Sequence, residues 1–239
     1  MGSLAADERV LQLFSRLKGG GPVSFAEYLQ NRWEHLLDLG IDHALVVIEA
    51  VAIAAVIGVA LGLLTYRAER PREIVLATVG VFLTIPSLAL FGLFIRAPDP
   101  FGLSRTSVVS ALVMYSLLPI VRNTIVGLRE VDPAVVESAQ GMGMGRLTRL
   151  FRIELPLAWP VILTGVRVST VIVVGIAAIG AYIRGPGLGN DIFAGVARIS
   201  SPAALNLVLG GMLGVIVIAI LFDLFYVLLT RLTTSRGLR

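Results

Sequence analysis

The sequence predicts an all-α, polytopic membrane protein with about five transmembrane helices. Of its 239 residues, 56% are hydrophobic and only 15% are charged, and the mean hydropathy is +0.87. Such a composition is far more apolar than that of soluble domains, so a soluble globular enzyme is not expected. Five apolar runs reach the roughly 20 residues that a helix needs to cross the hydrocarbon core. None of them alternates in polarity as the strands of a membrane barrel do.

Residues 1–40 are predicted to form an extracytoplasmic region that precedes the transmembrane domain. Residues 1–23, with three consecutive glycines and a proline at 19–22, are expected to be a mobile tail. Apolar residues then recur at helical spacing, at Phe25, Leu29, Trp33, Leu36 and Leu37. This pattern predicts an amphipathic helix that lies along the membrane interface. The transmembrane domain is expected over residues 41–232, and a cytoplasmic tail over 233–239.

Each of the five predicted spans rests on an apolar run with at most one charge. The runs cover residues 44–66, 74–95, 106–128, 157–183 and 199–222. Pro86 and Pro119 fall inside the second and third runs, where each removes a backbone donor and is expected to bend its helix. Small residues in the first and last runs predict close packing of helices. These residues are Gly58, Gly62, Gly210, Gly211 and Gly214.

Charge bias predicts which side of the membrane each loop faces, because short cytoplasmic loops are rich in lysine and arginine. Eleven arginines lie in or beside the loops after the first and third spans and at the C-terminus, against eight basic residues on the opposite side. We therefore expect the N-terminus outside and the C-terminus in the cytoplasm, with the interfacial helix on the outer face. The 20 basic and 16 acidic residues form no compact basic face, so nucleic acid is not an expected partner.

The polar loop between the third and fourth spans, residues 130–156, lies on the predicted cytoplasmic side and has a specific local pattern. Asp132 and Pro133 predict a helix start, since a carboxylate caps free N–H groups and proline is tolerated at the first helical position. The helix is expected to reach about residue 140. Glycines at alternate positions over 141–145 then interrupt it, because they permit a turn and weaken continuous helix.

A second short helix is predicted from Arg146 onward. Its apolar face is expected to hold Leu147, Leu150 and Phe151, and its opposite face Arg146, Arg149 and Arg152. Pro156 and Pro160 are expected to limit this helix. A helix, a glycine turn and a second helix form a compact shape that fits a groove on a soluble partner. The alternative is a pair of helices on the lipid surface, with the arginines at the headgroups.

Three groups of residues in the polar loop stand at fixed spacings. They are Glu137-Ser138-Ala139, then Gly143, then Ile153-Glu154-Leu155-Pro156. At these spacings the loop resembles the EAA loop of ABC importer permeases, written EAA, three residues, G, nine residues, I-x-LP, with Ser138 in place of the usual alanine. The runs at 85–87, 117–133 and 187–189 are similar to those of osmoprotectant permeases, which import glycine betaine, carnitine, choline and related compounds. The resemblance covers roughly residues 33–232.

The resemblance implies an alternating-access permease without a catalytic, cofactor or metal site of its own. Two permease chains, identical or homologous, would line the pathway, with two ABC ATPase subunits beneath them and an extracytoplasmic binding protein to deliver the solute. The residues implied in ATPase coupling are Glu137, Ala139, Gly143, Leu155 and Pro156. The sequence contains no G-x-x-x-x-G-K-[ST] phosphate-binding motif, so ATP hydrolysis is expected of a partner. Methionine-importer permeases share this five-helix architecture, which leaves methionine or another small solute as the alternative cargo.

Charged residues inside the spans are costly and are therefore candidates for function. Glu49 lies about two turns inside the first span and is a candidate residue of the transport pathway. The alternative is that its carboxylate pairs with Arg96 or Arg105. Arg167 and Asp223, near the cytoplasmic ends of their helices, are expected to pair with each other.

The outer loop after the fourth span is rich in glycine, which favours tight reversals. In the resembled family this region faces the binding protein, so Gly187, Leu188 and Gly189 are candidate outer-gate residues, with a plain surface turn as the alternative. An intramembrane enzyme, a function of a different class, would need a nucleophile and a base, or a metal-ligand cluster, at one depth. The chain has no cysteine and only two histidines, which argues against that class.

Overall fold

In the computed structural model, which describes residues 24–234, every regular element is a helix. Four helices in this range are long and apolar enough to cross a membrane, and five spans result if one bent pair of helices counts as a span. The predicted all-α fold with about five spans is therefore confirmed. The predicted tail of residues 1–23 and residues 235–239 of the predicted C-terminal tail lie outside the described residues.

The helices follow one another with short connections. The first four are α1 (Phe25–Thr65), α2 (Glu69–Thr84), α3 (Ser87–Ile95) and α4 (Arg105–Arg129). The polar loop contributes α5 (Pro133–Gly141), α6 (Arg146–Arg149) and a π-helical turn (Leu150–Glu154) that leads into α7 (Leu155–Ile179). A 3-10 turn (Gly180–Ile183) follows, then α8 (Gly189–Ala197) and α9 (Ala204–Thr233).

α1 differs from the sequence prediction because it is one unbroken helix of 41 residues. It begins where the Ser24 hydroxyl accepts a hydrogen bond from the Glu27 backbone N–H at 3.3 Å. No proline interrupts residues 25–65, and Gly40 alone is too weak a breaker to end a helix whose apolar residues continue on both sides. The predicted interfacial helix is therefore not a separate element, and the expected boundary at residue 40 falls inside α1.

The predicted second span, residues 74–95, is broken into two helices. α2 and α3 meet at an angle of 91°, and Pro86 stands at the break as the N-cap of α3. The Ile85 carbonyl beside the break accepts a hydrogen bond from the Tyr115 hydroxyl at 2.6 Å. Proline thus bends this segment as predicted and also ends the helix, whereas Pro119 lies inside the continuous helix α4.

Helices α1, α4 and α7 form the centre of the bundle, with buried side chains from all three in one core. α1 and α4 approach closely because Gly58 and Gly62 have no side chain at the contact. A Cβ atom on Gly58 would lie 2.8 Å from the Ile120 side chain, and one on Gly62 would lie 2.5 Å from that of Thr124. The predicted close packing at the small residues of this helix is confirmed.

α9 packs at the edge of the bundle through its own glycines. Gly210 lies against the Tyr28 ring of α1, and Gly214 lies against the side chain of Leu188. The outward surface of α9 carries exposed apolar side chains such as Ile220 and Leu224, which suits contact with lipid.

Candidate functional site

The first half of the polar loop folds as the sequence predicts. The Asp132 carboxylate accepts a hydrogen bond from the Ala134 backbone N–H at 2.8 Å, and Pro133 occupies the first turn of α5. The turn after α5 is formed by Gly143, whose φ of +79° is one that residues with a side chain rarely adopt. The backbone N–H of Gly143 donates to the Gln140 carbonyl at 2.9 Å, which closes the turn.

The five residues implied in coupling differ in exposure. Ala139 is only 1% exposed and holds α5 against the rest of the protein. Glu137, Gly143 and Pro156 are exposed, and Leu155 is half-buried. Three of the five residues are therefore accessible to a partner, while Ala139 fixes the helix that carries Glu137.

The second half of the polar loop departs from the predicted division of faces at one arginine. Leu147 and Phe151, which were expected on its apolar face, are 72% and 57% exposed, whereas Arg149, which was expected on the opposite face with two other arginines, is only 7% exposed. Arg149 turns inward because its guanidinium pairs with Glu154, with Nε 2.7 Å from Oε1. The loop therefore presents apolar side chains to its surroundings, and Met142, 69% exposed, adds a third.

The prediction that Pro156 and Pro160 limit the second helix is wrong. The chain stays helical from Arg146 to Ile183. The π-helical turn brings the Leu155 backbone N–H to the Leu150 carbonyl, and Pro156 then stands in the first turn of α7, where a missing N–H does no harm. The end of the polar loop and the predicted fourth span thus form one continuous helical rod.

Sequence reasoning missed a buried charge cluster at Glu154, which is 3% exposed. Its carboxylate accepts hydrogen bonds from the Tyr66 hydroxyl at 2.7 Å, from Arg67 Nη2 at 3.0 Å and from Arg149 Nε at 2.7 Å. Tyr66 and Arg67 follow directly after α1. The only indication in the sequence is that Glu154 follows three arginines in the loop. The sequence does not show which of these arginines pairs with it.

The contacts define two ends of the bundle. At the loop end, Tyr66 and Arg67 meet Glu154, and Trp159 Nε1 donates to the Thr233 hydroxyl at 3.0 Å. The end of α1, the polar loop and the end of α9 therefore lie together. These are the same basic segments that the count of arginines assigns to one side of the membrane.

The far end, opposite the loop end, holds a second buried carboxylate. Asp191 of α8, 6% exposed, accepts a hydrogen bond from the Tyr28 hydroxyl at 3.2 Å and lies 3.1 Å from Nε2 of His35. Both partners belong to the first three turns of α1. This contact ties α8 to the part of α1 that was predicted to be an interfacial helix.

The three candidate outer-gate residues are buried rather than exposed. Gly187 has a φ of +115° and lies against His43, while Leu188 is only 1% exposed. Gly189 lies against the backbone of Ala178 at the end of α7. The segment is therefore a tightly packed connection between α7 and α8, which differs from the plain surface turn that was the alternative.

Two ion pairs involve charged residues of the spans. Glu49 pairs with Arg105, whose Nη2 and Nε lie 2.7 and 2.9 Å from the same carboxylate oxygen, in agreement with one of the alternatives for Glu49. The predicted pair of Arg167 and Asp223 is confirmed, with two parallel hydrogen bonds of 2.6 and 2.7 Å. Among residues 24–234, no group of three or more histidine, aspartate or glutamate side chains is arranged to hold a metal ion.

Known sequences resemble the chain over most of its length. The sequence pattern of the family described as binding-protein-dependent transport system inner membrane component matches residues 54–235. The choline transport system permease protein OpuBB of Bacillus subtilis is 33% identical over 213 residues, which cover 89% of this chain and 95% of that protein. The osmoprotectant import permease protein OsmW of Salmonella typhimurium is 36% identical over 214 residues, covering 89% of this chain and 98% of that protein.

The fold also resembles a solved structure. A chain of the MetNI methionine ABC transporter in an inward-facing conformation matches with a TM-score of 0.70 and 21% sequence identity, over 81% of this chain and 94% of that one. At this identity the similarity concerns the fold alone.

Proposed function

Because the chain belongs to the family of binding-protein-dependent transport system inner membrane components, we propose that it is the membrane-spanning permease subunit of an ATP-driven osmoprotectant importer. Its cargo would be glycine betaine, choline, carnitine or a related compound. The chain would lie in the cytoplasmic membrane with its N-terminus outside and its loop end in the cytoplasm. A second permease chain, identical or homologous, would complete the pathway, and an extracytoplasmic binding protein would deliver the solute.

The polar loop is the observation that carries this proposal. It combines the spacing of the EAA loop with two short helices joined by a turn, and it exposes Met142, Leu147 and Phe151. Exposed apolar side chains in an arginine-rich segment suit insertion into a cleft of another protein. We propose that this cleft belongs to an ABC ATPase subunit, and that Glu137, Ala139, Gly143, Leu155 and Pro156 shape the contact.

The osmoprotectant cargo is supported by the names of the relatives, which include a choline permease and an osmoprotectant permease at 33% and 36% identity. Methionine, the alternative cargo, is supported by a similarity of fold at 21% identity. The chain itself would perform no chemistry. Its roles would be to form the pathway, in which Glu49 is a candidate residue, and to close it at an outer gate near Gly187, Leu188 and Gly189.

The test is copurification followed by uptake. The epitope-tagged chain, expressed with its native neighbours, should bring down an ATP-hydrolysing subunit. A deletion strain that carries the same genes should accumulate radiolabelled glycine betaine or choline, and not methionine. Absence of the ATPase would contradict the proposed class, and uptake of methionine alone would contradict the proposed cargo.

A double variant tests the contact with the ATPase. We expect Leu147→Ser with Phe151→Ser to reduce the amount of copurified ATPase at least about tenfold, since exposed apolar anchors dominate interfaces of this kind. The melting temperature of the permease should change little, because both side chains already face outward. Ile199→Ser is the matched control, since Ile199 is 78% exposed beyond α8, away from the polar loop. Equal copurification by all variants would contradict the assignment of this surface.

A further inference from the structure

We propose that Glu154 is a positioning residue of the transport cycle, because its buried carboxylate ties the polar loop to the end of α1. This inference deepens the proposed function and rests on it. It concerns how a movement of α5 and α6, imposed by an ATPase, would reach the helices of the pathway.

The carboxylate of Glu154 is surrounded by donors. Oε1 accepts from Arg149 Nε at 2.7 Å and from Arg67 Nη2 at 3.0 Å, and Oε2 accepts from the Tyr66 hydroxyl at 2.7 Å. The Glu154 and Arg149 side chains are 4% and 8% exposed. Hydrogen bonds in which both groups are charged are short and strong, and this carboxylate has two of them.

The donors come from two distant parts of the chain. Arg149 precedes Glu154 by five residues, within the polar loop, whereas Tyr66 and Arg67 are separated from Glu154 by 88 and 87 residues. The cluster therefore connects the polar loop to α1 by polar contacts that cross the structure. Glu154 is also the last residue of the π-helical turn, so its backbone continues directly into α7.

Glu154 thus connects the polar loop to two helices, to α7 through its backbone and to α1 through its side chain. A displacement of α6 passes to α7 through the continuous helix from Arg146 to Ile183. The same displacement passes to α1 through the carboxylate, because moving the loop away from α1 would break its hydrogen bonds to the Tyr66 hydroxyl and to Arg67 and would leave a buried carboxylate with fewer donors. With the tie intact, α1 and α7 move as one rigid body, which is the kind of transition that alternating access requires. Without the contacts of Glu154 with the end of α1, we expect α7 to move with the loop and α1 to move less than α7.

The first test compares Glu154→Gln with the unaltered chain in the complete reconstituted transporter. Glutamine keeps the size of the side chain and one acceptor oxygen but removes the charge that holds two arginines. We expect the amount of radiolabelled solute moved per ATP hydrolysed to fall at least about fivefold, while the ATPase still copurifies and still hydrolyses ATP. An unchanged ratio in a fully assembled complex would overturn the proposal.

Asp223→Asn is the matched control for this variant. It removes the charge from the Arg167–Asp223 pair, whose hydrogen bonds of 2.6 and 2.7 Å are as short as those of Glu154. That pair joins α7 to α9 and does not include the polar loop. The ratio of transport to hydrolysis should stay the same in Asp223→Asn. An equal fall in both variants would show a general effect of lost ion pairs and would overturn the specific role of Glu154.

A distance measurement tests the proposal without altering Glu154. The chain has no cysteine, so nitroxide labels can be placed at Asp38→Cys on α1 and Thr148→Cys on α6, both exposed positions. Residues 38 and 66 are separated by about 40 Å along α1. Because residue 66 contacts the polar loop at Glu154, the two labels should lie at a distance suited to pulsed electron resonance. In the complete transporter, with one permease chain labelled, the distance should be the same in the nucleotide-free and ATP-bound states.

A shift of that distance between the two states in the otherwise unaltered chain would overturn the proposal, because the loop would then move relative to α1. In Glu154→Gln the distance distribution should broaden or shift on ATP binding. Different results would contradict the proposed function and the proposed role of Glu154. If the unaltered chain recruits no ATPase, the proposed function is wrong, whereas ATP-driven uptake that is indifferent to Glu154 leaves the function intact and removes only the tie.

Discussion

Two buried carboxylates hold the two ends of α1, and each accepts a hydrogen bond from a tyrosine. At the loop end Glu154 accepts from Tyr66 at 2.7 Å, and at the far end Asp191 accepts from Tyr28 at 3.2 Å. Burying a carboxylate is favourable only when donors replace the lost water. These residues therefore fix α1 against the polar loop and α8 at defined points, while apolar packing fills the length between them.

The turn after α5 requires a glycine at position 143 because of its positive φ. Gly143→Ala places a side chain at a φ of +79° and should cost about 1–2 kcal/mol in the turn. Because the turn orients α5 relative to α6, we expect ATP-driven uptake to fall several-fold. Gly145→Ala is the control, since Gly145 has a φ of −64° and open space around it. Equal uptake by the two variants would mean that the backbone of Gly143 is not required.

Single residues were predicted well where the cause is local and poorly where it is not. The cap at Asp132 and the turn at Gly143 depend on a few neighbouring residues, and both were predicted correctly. The burial of Arg149 depends on its pairing with Glu154, whose carboxylate also binds Tyr66 and Arg67, far away in the sequence. Helical periodicity assigns every arginine to the outside, so it could not single out the one that is paired.

The elements pack through a small number of close contacts at glycines, one of which lies between α1 and α4. Gly62→Ala would bring a Cβ atom within 2.5 Å of Thr124, whose hydroxyl already donates to the Ile120 carbonyl at 2.8 Å. Overpacking of this kind typically costs about 1–3 kcal/mol, so the melting temperature in detergent should fall. Gly175→Ala in α7 meets nothing within 4 Å and should raise it, because alanine favours helix by up to about 1 kcal/mol. Changes of the same sign in both variants would contradict the packing described here.

A hydrogen bond from Tyr115 is expected to stabilise the break between α2 and α3. Tyr115→Phe removes the hydroxyl that donates to the Ile85 carbonyl at 2.6 Å. Tyr115 is 2% exposed, so the carbonyl beside Pro86 would be left without this donor, at a cost of about 1–3 kcal/mol. Tyr182→Phe, at a residue that is 65% exposed, is the control and should change the free energy of unfolding little. If both variants melt at the same temperature, Tyr115 does not stabilise the break.

The number of spans was predicted more accurately than the bounds of the helices. Apolar runs identify each span, but the effect of a proline depends on its surroundings. Pro86 ends a helix, Pro119 lies inside one, and Pro156 stands in the first turn of another after a π-helical turn. α1 continues through residue 40 because no proline interrupts it and Gly40 alone is too weak a breaker, although the change from an amphipathic to an apolar pattern had suggested two elements.

For the whole molecule, the grouping of loops at two ends agrees with the bias in charge. The basic end of α1, the polar loop and the end of α9 meet at the loop end, and the contacts of Asp191 lie at the far end. If the loop end faces the cytoplasm, the arginines there follow the positive-inside rule. The same orientation brings Glu137, Gly143 and the exposed Leu147 to the side on which an ATPase would be found.

The most direct test of this account is the accessibility of one cysteine at position 138. The chain has no cysteine of its own, and Ser138 is an exposed residue of α5. In Ser138→Cys, a membrane-impermeant maleimide should leave intact cells unlabelled, should react after permeabilisation, and should react more slowly when the neighbouring ATPase genes are expressed. Labelling of this cysteine in intact cells would place the polar loop outside and would contradict the account.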